Sequence, residues 1–261
     1  EKAEPLWVEV EAHEERITCC QWLDEDTFAT GSEDGTVKRW SVEERRCVSK
    51  VQAHASGVRC LAFTRDNQRV LTGGDFDSAR FTEMRSGGRC LCVLQDSTRQ
   101  EQSVQNASSV SLSADGRRGA TCSWDQALRL WDLEEGQLLL AVEHVSEWVV
   151  KGFGATLAGS EVGLCVSHTW DRQIQVWDFS EFLSETGAKV TAGGPKVAAA
   201  ASAACVWKLA SCQCDASLVR MAAARWWPSP KVGAKAAAPC CRSLVFADEE
   251  GAVHFFNVTG S

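Results

Sequence analysis

Phe28 to Val42 reads FATGSEDGTVKRWSV, and three later stretches repeat its plan: Ala120 to Leu133 (ATCSWDQALRLWDL), Val166 to Phe179 (VSHTWDRQIQVWDF) and Leu244 to Val258 (LVFADEEGAVHFFNV). Each is a β-rich run, a polar turn and a second β-rich run. In the first three an Asp in the turn precedes a Trp by six residues: Asp34 and Trp40, Asp125 and Trp131, Asp171 and Trp177. Glu250 and Phe256 keep that spacing in the last copy. A fifth copy, Val70 to Met84, is worn, and Asp75 and Phe81 match it only if one turn residue is deleted. Two β-rich runs around a tight turn predict an antiparallel hairpin.

Another apolar run lies before each hairpin (Ile17 to Leu23, Val58 to Phe63, Val104 to Leu112, Trp148 to Phe153), and a further one follows (Cys47 to Gln52, Cys90 to Leu94, Leu138 to Val142). Each unit therefore has four short strands. The marker aromatics fall 41, 50 and 46 residues apart from Trp40 through Phe81 and Trp131 to Trp177. A four-stranded unit recurring every 40–45 residues or so is the period of a propeller blade. Trp131-Asp132 and Trp177-Asp178 close two of the copies.

On these residues the chain resembles the WD-repeat family of β-propellers, over nearly its whole length except about 180–204 and 231–240. The resemblance implies an all-β propeller of four-stranded antiparallel blades with five recognisable repeats, at about 14–54, 55–97, 103–144, 145–211 and 218–258. Five to seven blades are compatible with the chain. The alternating stretch Leu6 to Ala12 reads as an outer strand, so residues 6–13 are expected to complete the last blade and remove a sheet edge. The 79 residues from Trp177 to Phe256 admit two readings. In one, a low-complexity Ala/Gly insertion at 180–204 interrupts a blade, Val206 to Ala210 is its outer strand, and Val219 to Trp227 opens the last blade. In the other, Ala210 to Met221 is a worn blade of its own.

The resemblance also implies a hydrogen-bond relay inside each well-formed blade, from a loop His through the turn Asp and a Ser or Thr to the strand Trp. Carried over by position, His13, Ser32, Asp34 and Trp40 form one. His144, Thr169, Asp171 and Trp177 form another, and Ser123, Asp125 and Trp131 remain of a third. These are structural residues, not a catalytic triad. The residue before each turn Asp points to the rim in this family. Here those positions hold Glu33, Trp124, Trp170 and Glu249, and Trp148 lies on the same rim beside its first strand. Trp is enriched in interface hot spots, so these five are the expected partner-binding residues.

Composition narrows the function. Net charge is −8, without the basic footprint of a nucleic-acid binder. Thirteen Cys, an odd number, with no signal-peptide pattern, argue against a disulfide framework. No CxxC pairing offers a zinc site, and Cys reads as a small buried apolar residue. No run reaches the roughly 18 apolar residues of a membrane span. No catalytic group, metal site or cofactor is expected. The expected role is a non-enzymatic scaffold or adaptor for other proteins or peptides, in cytoplasm or nucleus. The alternative is a reader of basic peptides such as histone tails, which Glu33 and Glu249 would suit. A propeller hydrolase ranks last.

Overall fold

The computed structural model describes residues 7–75, 78–85, 87–95, 107–113, 115–123 and 127–141 with their side chains, and the backbone alone of strand residues from 142 onward. All regular structure among them is strand. The first sheet contains β1 (Ile17–Trp22), β2 (Thr27–Ser32), β3 (Thr36–Ser41) and β4 (Arg46–Gln52). The second contains β5 (Val58–Phe63), β6 (Arg69–Gly74), β7 (Ala79–Glu83) and β8 (Cys90–Leu94), and the third β9 (Ala107–Leu112), β10 (Arg118–Ser123), β11 (Ala127–Asp132) and β12 (Gln137–Glu143). The fourth joins β13 (Leu157–Ala158), β14 (Leu164–His168), β15 (Gln173–Asp178) and β16 (Trp207–Gln213). The fifth joins β17 (Leu218–Ala223), β18 (Arg242–Asp248) and β19 (Val253–Val258). Every pairing is antiparallel between chain neighbours, so these sheets are propeller blades.

Local chemistry explains the regularity. The strands are rich in β-branched and aromatic residues, which suit a pleated surface. The first turn of each of the first three blades is closed by an Asp that accepts backbone N–H groups, as Asx turns do. Asp24 Oδ1 accepts from Thr27 N at 2.7 Å, Asp66 Oδ1 from Gln68 N at 3.1 Å, and Asp115 Oδ1 from Arg117 N at 3.1 Å. A bulge then recurs between the third and fourth strands, at Arg39/Trp40, Phe81/Thr82, Leu130/Trp131 and Val176/Trp177.

That recurring bulge aligns the blades and corrects the reading of the worn copy. Trp22 pairs with Phe28, and Phe28 with Trp40. In the second blade Phe63 pairs with Val70, and Val70 with Thr82. Thr82, not Phe81, therefore stands at the tryptophan position. No turn residue has to be deleted, and Asp75 falls at the place of Glu33. Phe81 points to the other face, as residue alternation requires.

Two apolar seams hold the first three blades together. Ala29, Val37 and Val51 of the first meet Val58, Phe63, Val70 and Met84 of the second. Leu71, Phe81 and Leu94 of the second meet Val110, Trp131 and Leu133 of the third. Gly31 lies in the first seam, and a Cβ there would come within 2.7 Å of Cys19 Sγ and 2.8 Å of Val58 Cγ1.

Three expectations change or fall outside the description. Residues 7–13 form no strand and do not complete the last blade, which shows three strands among the described residues. Glu11 adopts a left-handed φ of 64°, which ends any extended run. The segment packs on the first blade instead, with the Trp7 ring 6.0 Å from the Trp40 ring and Lys38 Nζ donating to the Ala12 carbonyl. β16 pairs with β15, and β17 with β18, so Ala210 to Met221 is no separate blade. The expected first strand at Trp148 to Phe153 and the 180–204 insertion lie outside the described residues.

Leu71 is fully buried in the second seam. Leu71→Ala is expected to destabilise the chain by about 2–5 kcal/mol through lost transfer energy and the cavity left behind. Urea denaturation checks this as a lower midpoint at unchanged slope.

Candidate functional site

The first blade carries a closed polar circuit inside an apolar sheet. Trp40 Nε1 donates to Thr30 Oγ1 at 2.8 Å, and Thr30 Oγ1 lies 2.7 Å from His13 Nε2. Having accepted the indole N–H, the Thr30 hydroxyl donates its own proton to His13 Nε2. The imidazole then carries its proton on Nδ1, which donates to Asp34 Oδ2 at 3.0 Å. Asp34 also accepts from Thr36 N at 2.8 Å, Thr36 Oγ1 at 2.6 Å and Glu14 N at 3.1 Å. The His13 and Asp34 side chains are 0% and 6% exposed.

Electrostatics agree with this proton placement. Burial is the strongest influence on His13 and holds its pKa below the usual value, against the opposing pull of the Asp34 carboxylate. Burial pushes Asp34 upward, yet the hydrogen bonds from Thr36, His13 and Glu14 outweigh it and hold the carboxyl well below the ordinary range. A neutral imidazole between a hydroxyl donor and a carboxylate leaves every polar atom matched, the condition under which a buried network stabilises. No solvent-facing nucleophile joins the circuit, so its chemistry is structural.

Ser32 is not a member of it. Ser32 Oγ donates to the Glu15 carbonyl at 3.1 Å and accepts from Asp34 N at 3.1 Å, which closes the turn. The reason is register. Trp40 sits opposite Phe28, and the same-face diagonal neighbour is Thr30, whereas Ser32 lies two residues further along, out of indole reach. The third blade repeats this: Trp131 Nε1 donates to Thr121 Oγ1 at 2.8 Å, while Ser123 Oγ accepts from Arg129 Nη1 at 2.9 Å. Arg129 is fully buried.

The second blade was expected to be degraded, yet it keeps half of the circuit. His54, four residues before its first strand like His13, is buried and lies 2.9 Å from Thr72 Oγ1. Thr82 supplies no indole N–H. The Thr72 hydroxyl donates to the Arg80 carbonyl at 3.2 Å and is left to accept from His54 Nε2. Thr82 Oγ1 is buried without a hydrogen-bond partner among the described residues. Gly74 makes room for the imidazole, since a Cβ there would lie 2.4 Å from His54 Nδ1. Thr30, Thr72, Thr121 and His54 were missed from the sequence. A Thr ten residues before Trp40 and before Trp131 was the available signal.

On the rim, Glu33 N donates to the Arg16 carbonyl and Asp75 N to the Gly57 carbonyl, so Glu33 and Asp75 hold equivalent places. Their side chains join a line of charges across two blades. Arg16 pairs with Glu33, Arg59 Nη1 lies 3.8 Å from Glu33 Oε1, and Arg59 Nε pairs with Asp75. Trp177 lies in β15 opposite Cys165, with only its backbone described. Trp124, Asp125, His144, Trp148, Thr169, Trp170, Asp171 and Glu249 lie outside the described residues. Burial raises the thiol pKa of Cys60 well above the ordinary value and that of Cys92 to about 11, as for apolar rather than ligating thiols. No group of three His, Cys, Asp or Glu side chains converges among the described residues.

The WD domain, G-beta repeat family matches residues 4–41, 45–77 and 88–132. The chain carries WD repeats at these three positions. It is similar to the guanine nucleotide-binding protein subunit beta of Oryza sativa subsp. indica, at 27% identity over 59% of this chain and 40% of the relative. It is similar to the periodic tryptophan protein 2 homolog of Caenorhabditis elegans, at 24% identity over 71% of this chain and 19% of the relative. It is also similar to autophagy-related protein 16 of Arabidopsis thaliana, at 23% over 54% and 28%. The chain thus spans less than half the length of these relatives. No helix among the described residues is long and apolar enough to cross a membrane.

Two outcomes test the WD relay. Thr30→Val keeps the shape but strands the indole N–H and the imidazole nitrogen, at an expected cost of about 3 kcal/mol, against about 1 kcal/mol for Ser32→Ala. Equal costs in urea denaturation would contradict the circuit drawn above. The second concerns pH. The unfolded chain takes up a proton on His13 near its ordinary 6.5 while the folded chain resists it. The relay's stabilisation is therefore complete above that pH and falls as the pH drops below it. Asp34, held below its ordinary 3.8, adds a second loss as the pH falls further. Melting curves from pH 8 to 5 should show the first decline, and Thr30→Val should alter it.

Proposed function

We propose that this chain is a non-catalytic platform that binds partner proteins or peptides on the rim defined by Glu33, Trp124, Trp148, Trp170 and Glu249. The observation that carries this reading is the shared register of Glu33 and Asp75 at the rim of adjacent blades. Trp124, Trp170 and Glu249 stand seven residues before Trp131, Trp177 and Phe256, as Glu33 stands before Trp40. The strands that follow them keep one register, with Gly119 opposite Trp131, Cys165 opposite Trp177 and Leu244 opposite Phe256. That combination favours a rim that carries large aromatics as well as charge, and Trp is enriched in interface hot spots.

The rice relative is named as a subunit, which fits a role inside an assembly. The buried relay residues are committed to the fold. A cytoplasmic or nuclear setting accompanies this reading.

Affinity purification with mass spectrometry tests it, comparing the wild type with Trp124→Ala/Trp170→Ala. The expected result is loss of most co-purifying proteins while the melting temperature stays within a few degrees of wild type. An unchanged partner set in a folded double variant rejects the rim as the binding face.

A further inference from the structure

We infer that the rim of the first two blades receives an isolated acidic side chain, an Asp or Glu, of a partner peptide on the guanidinium groups of Arg16 and Arg59. The inference rests on the platform reading above and assigns the chemistry of one contact within it.

Glu33 alone would suggest attraction for a basic peptide. The geometry reverses that. Its Oε1 is approached by both guanidiniums, Arg16 Nη2 at 2.5 Å and Arg59 Nη1 at 3.8 Å. Exposure then decides what a partner meets: the Arg side chains are 70% and 40% exposed, whereas Glu33 and Asp75 are 29% and 13% exposed. The acids lie beneath and orient the bases. Gly57 lets the two blades approach closely, since a Cβ there would come within 3.0 Å of Glu33 Cα and 3.3 Å of Asp75 Oδ2.

The pairing leaves donors to spare. Arg16 reaches Glu33 through Nη2, and Arg59 reaches Asp75 through Nε. A guanidinium has five N–H donors in a planar fork suited to a carboxylate. Ion pairs at exposed positions are weak, so an incoming carboxylate competes readily with Glu33 for the same nitrogens. Glu14 and Glu15, both exposed, immediately precede Arg16. They repel a run of acids, which selects a single acidic residue flanked by neutral or basic ones.

Fluorescence anisotropy with three labelled octapeptides at low salt tests this: alternating Glu-Lys, alternating Gln-Lys and alternating Asp-Lys. Wild type should bind the Glu-Lys and Asp-Lys peptides at least fivefold more tightly than the Gln-Lys peptide. Arg16→Ser/Arg59→Ser should abolish that preference with an unchanged melting curve, and Glu33→Gln should strengthen binding of the acidic peptides by freeing the guanidiniums. Equal or tighter binding of Gln-Lys, no binding of any peptide, or a preference that survives the double serine variant overturns the inference. If proteins still co-purify through Trp124 and Trp170 after such a result, the platform reading stands and only the carboxylate contact falls.

Discussion

The hydrogen bond from the Trp40 indole to the Thr30 hydroxyl is the constraint from which the first blade is built. A buried indole N–H needs an acceptor, and a hydroxyl that accepts it has one proton left to give. That proton fixes the tautomer of His13, the tautomer fixes the bond to Asp34, and Asp34 gathers Thr36 and Glu14 around the turn. One donor–acceptor choice in the sheet thus determines how the chain enters the blade at one end and turns at the other. It also draws residues 7–13 onto this blade, where Trp7 lies against Trp40 and Lys38 holds the Ala12 carbonyl.

The second blade shows what the circuit does by what happens without its first member. Thr82 offers no indole, and Thr72 redirects its proton to a strand carbonyl. The His–Thr contact survives because His54 and Gly74 remain matched in shape. Apolar packing then carries more of the load, through Phe63, Val70 and Met84 on one seam and Leu71 and Phe81 on the other. Polar circuit and apolar seam are separate ways of fixing the same four strands. A blade that weakens one can persist on the other.

The strand plan was legible because its signals are local. Alternation, turn Asp residues and the Asp-to-Trp spacing each lie within one hairpin, and they locate the strands of the first three blades to within a few residues. The relay hydroxyl was misread because Ser32 is close to Asp34 in sequence, while membership depends on a cross-strand diagonal that puts Thr30 beside Trp40. The worn second copy was misaligned for a related reason. A spacing of six between Asp75 and Phe81 mimics the motif, but alternation turns Phe81 to the wrong face. The N-terminal stretch alternates like a strand, yet a left-handed Glu11 and the attraction of the Trp40 surface override that pattern. The turn position of Glu33 was legible from its place before Asp34. Its contact with Arg59 was not, because Arg59 comes from the next blade and no spacing within one repeat reveals it.

That last contact lies between blades rather than within one. Inside the first blade, the relay's polar groups answer neighbours in the same blade, which commits them to the fold. Between blades the rim brings together residues that belong to different repeats, so their combination varies around the molecule although every blade has the same frame. Arg16, Glu33, Arg59 and Asp75 form such a combination. The acids are the inner members and the bases the outer ones because Gly57 lets one blade's turn settle against the next, which covers the shorter acidic side chains and leaves the longer arginines at the surface. A position that reads as negative in one repeat thereby becomes, after assembly, the support of a positive surface. On the proposed reading, a partner would meet such a junction, where the identity of the contact depends on two blades at once.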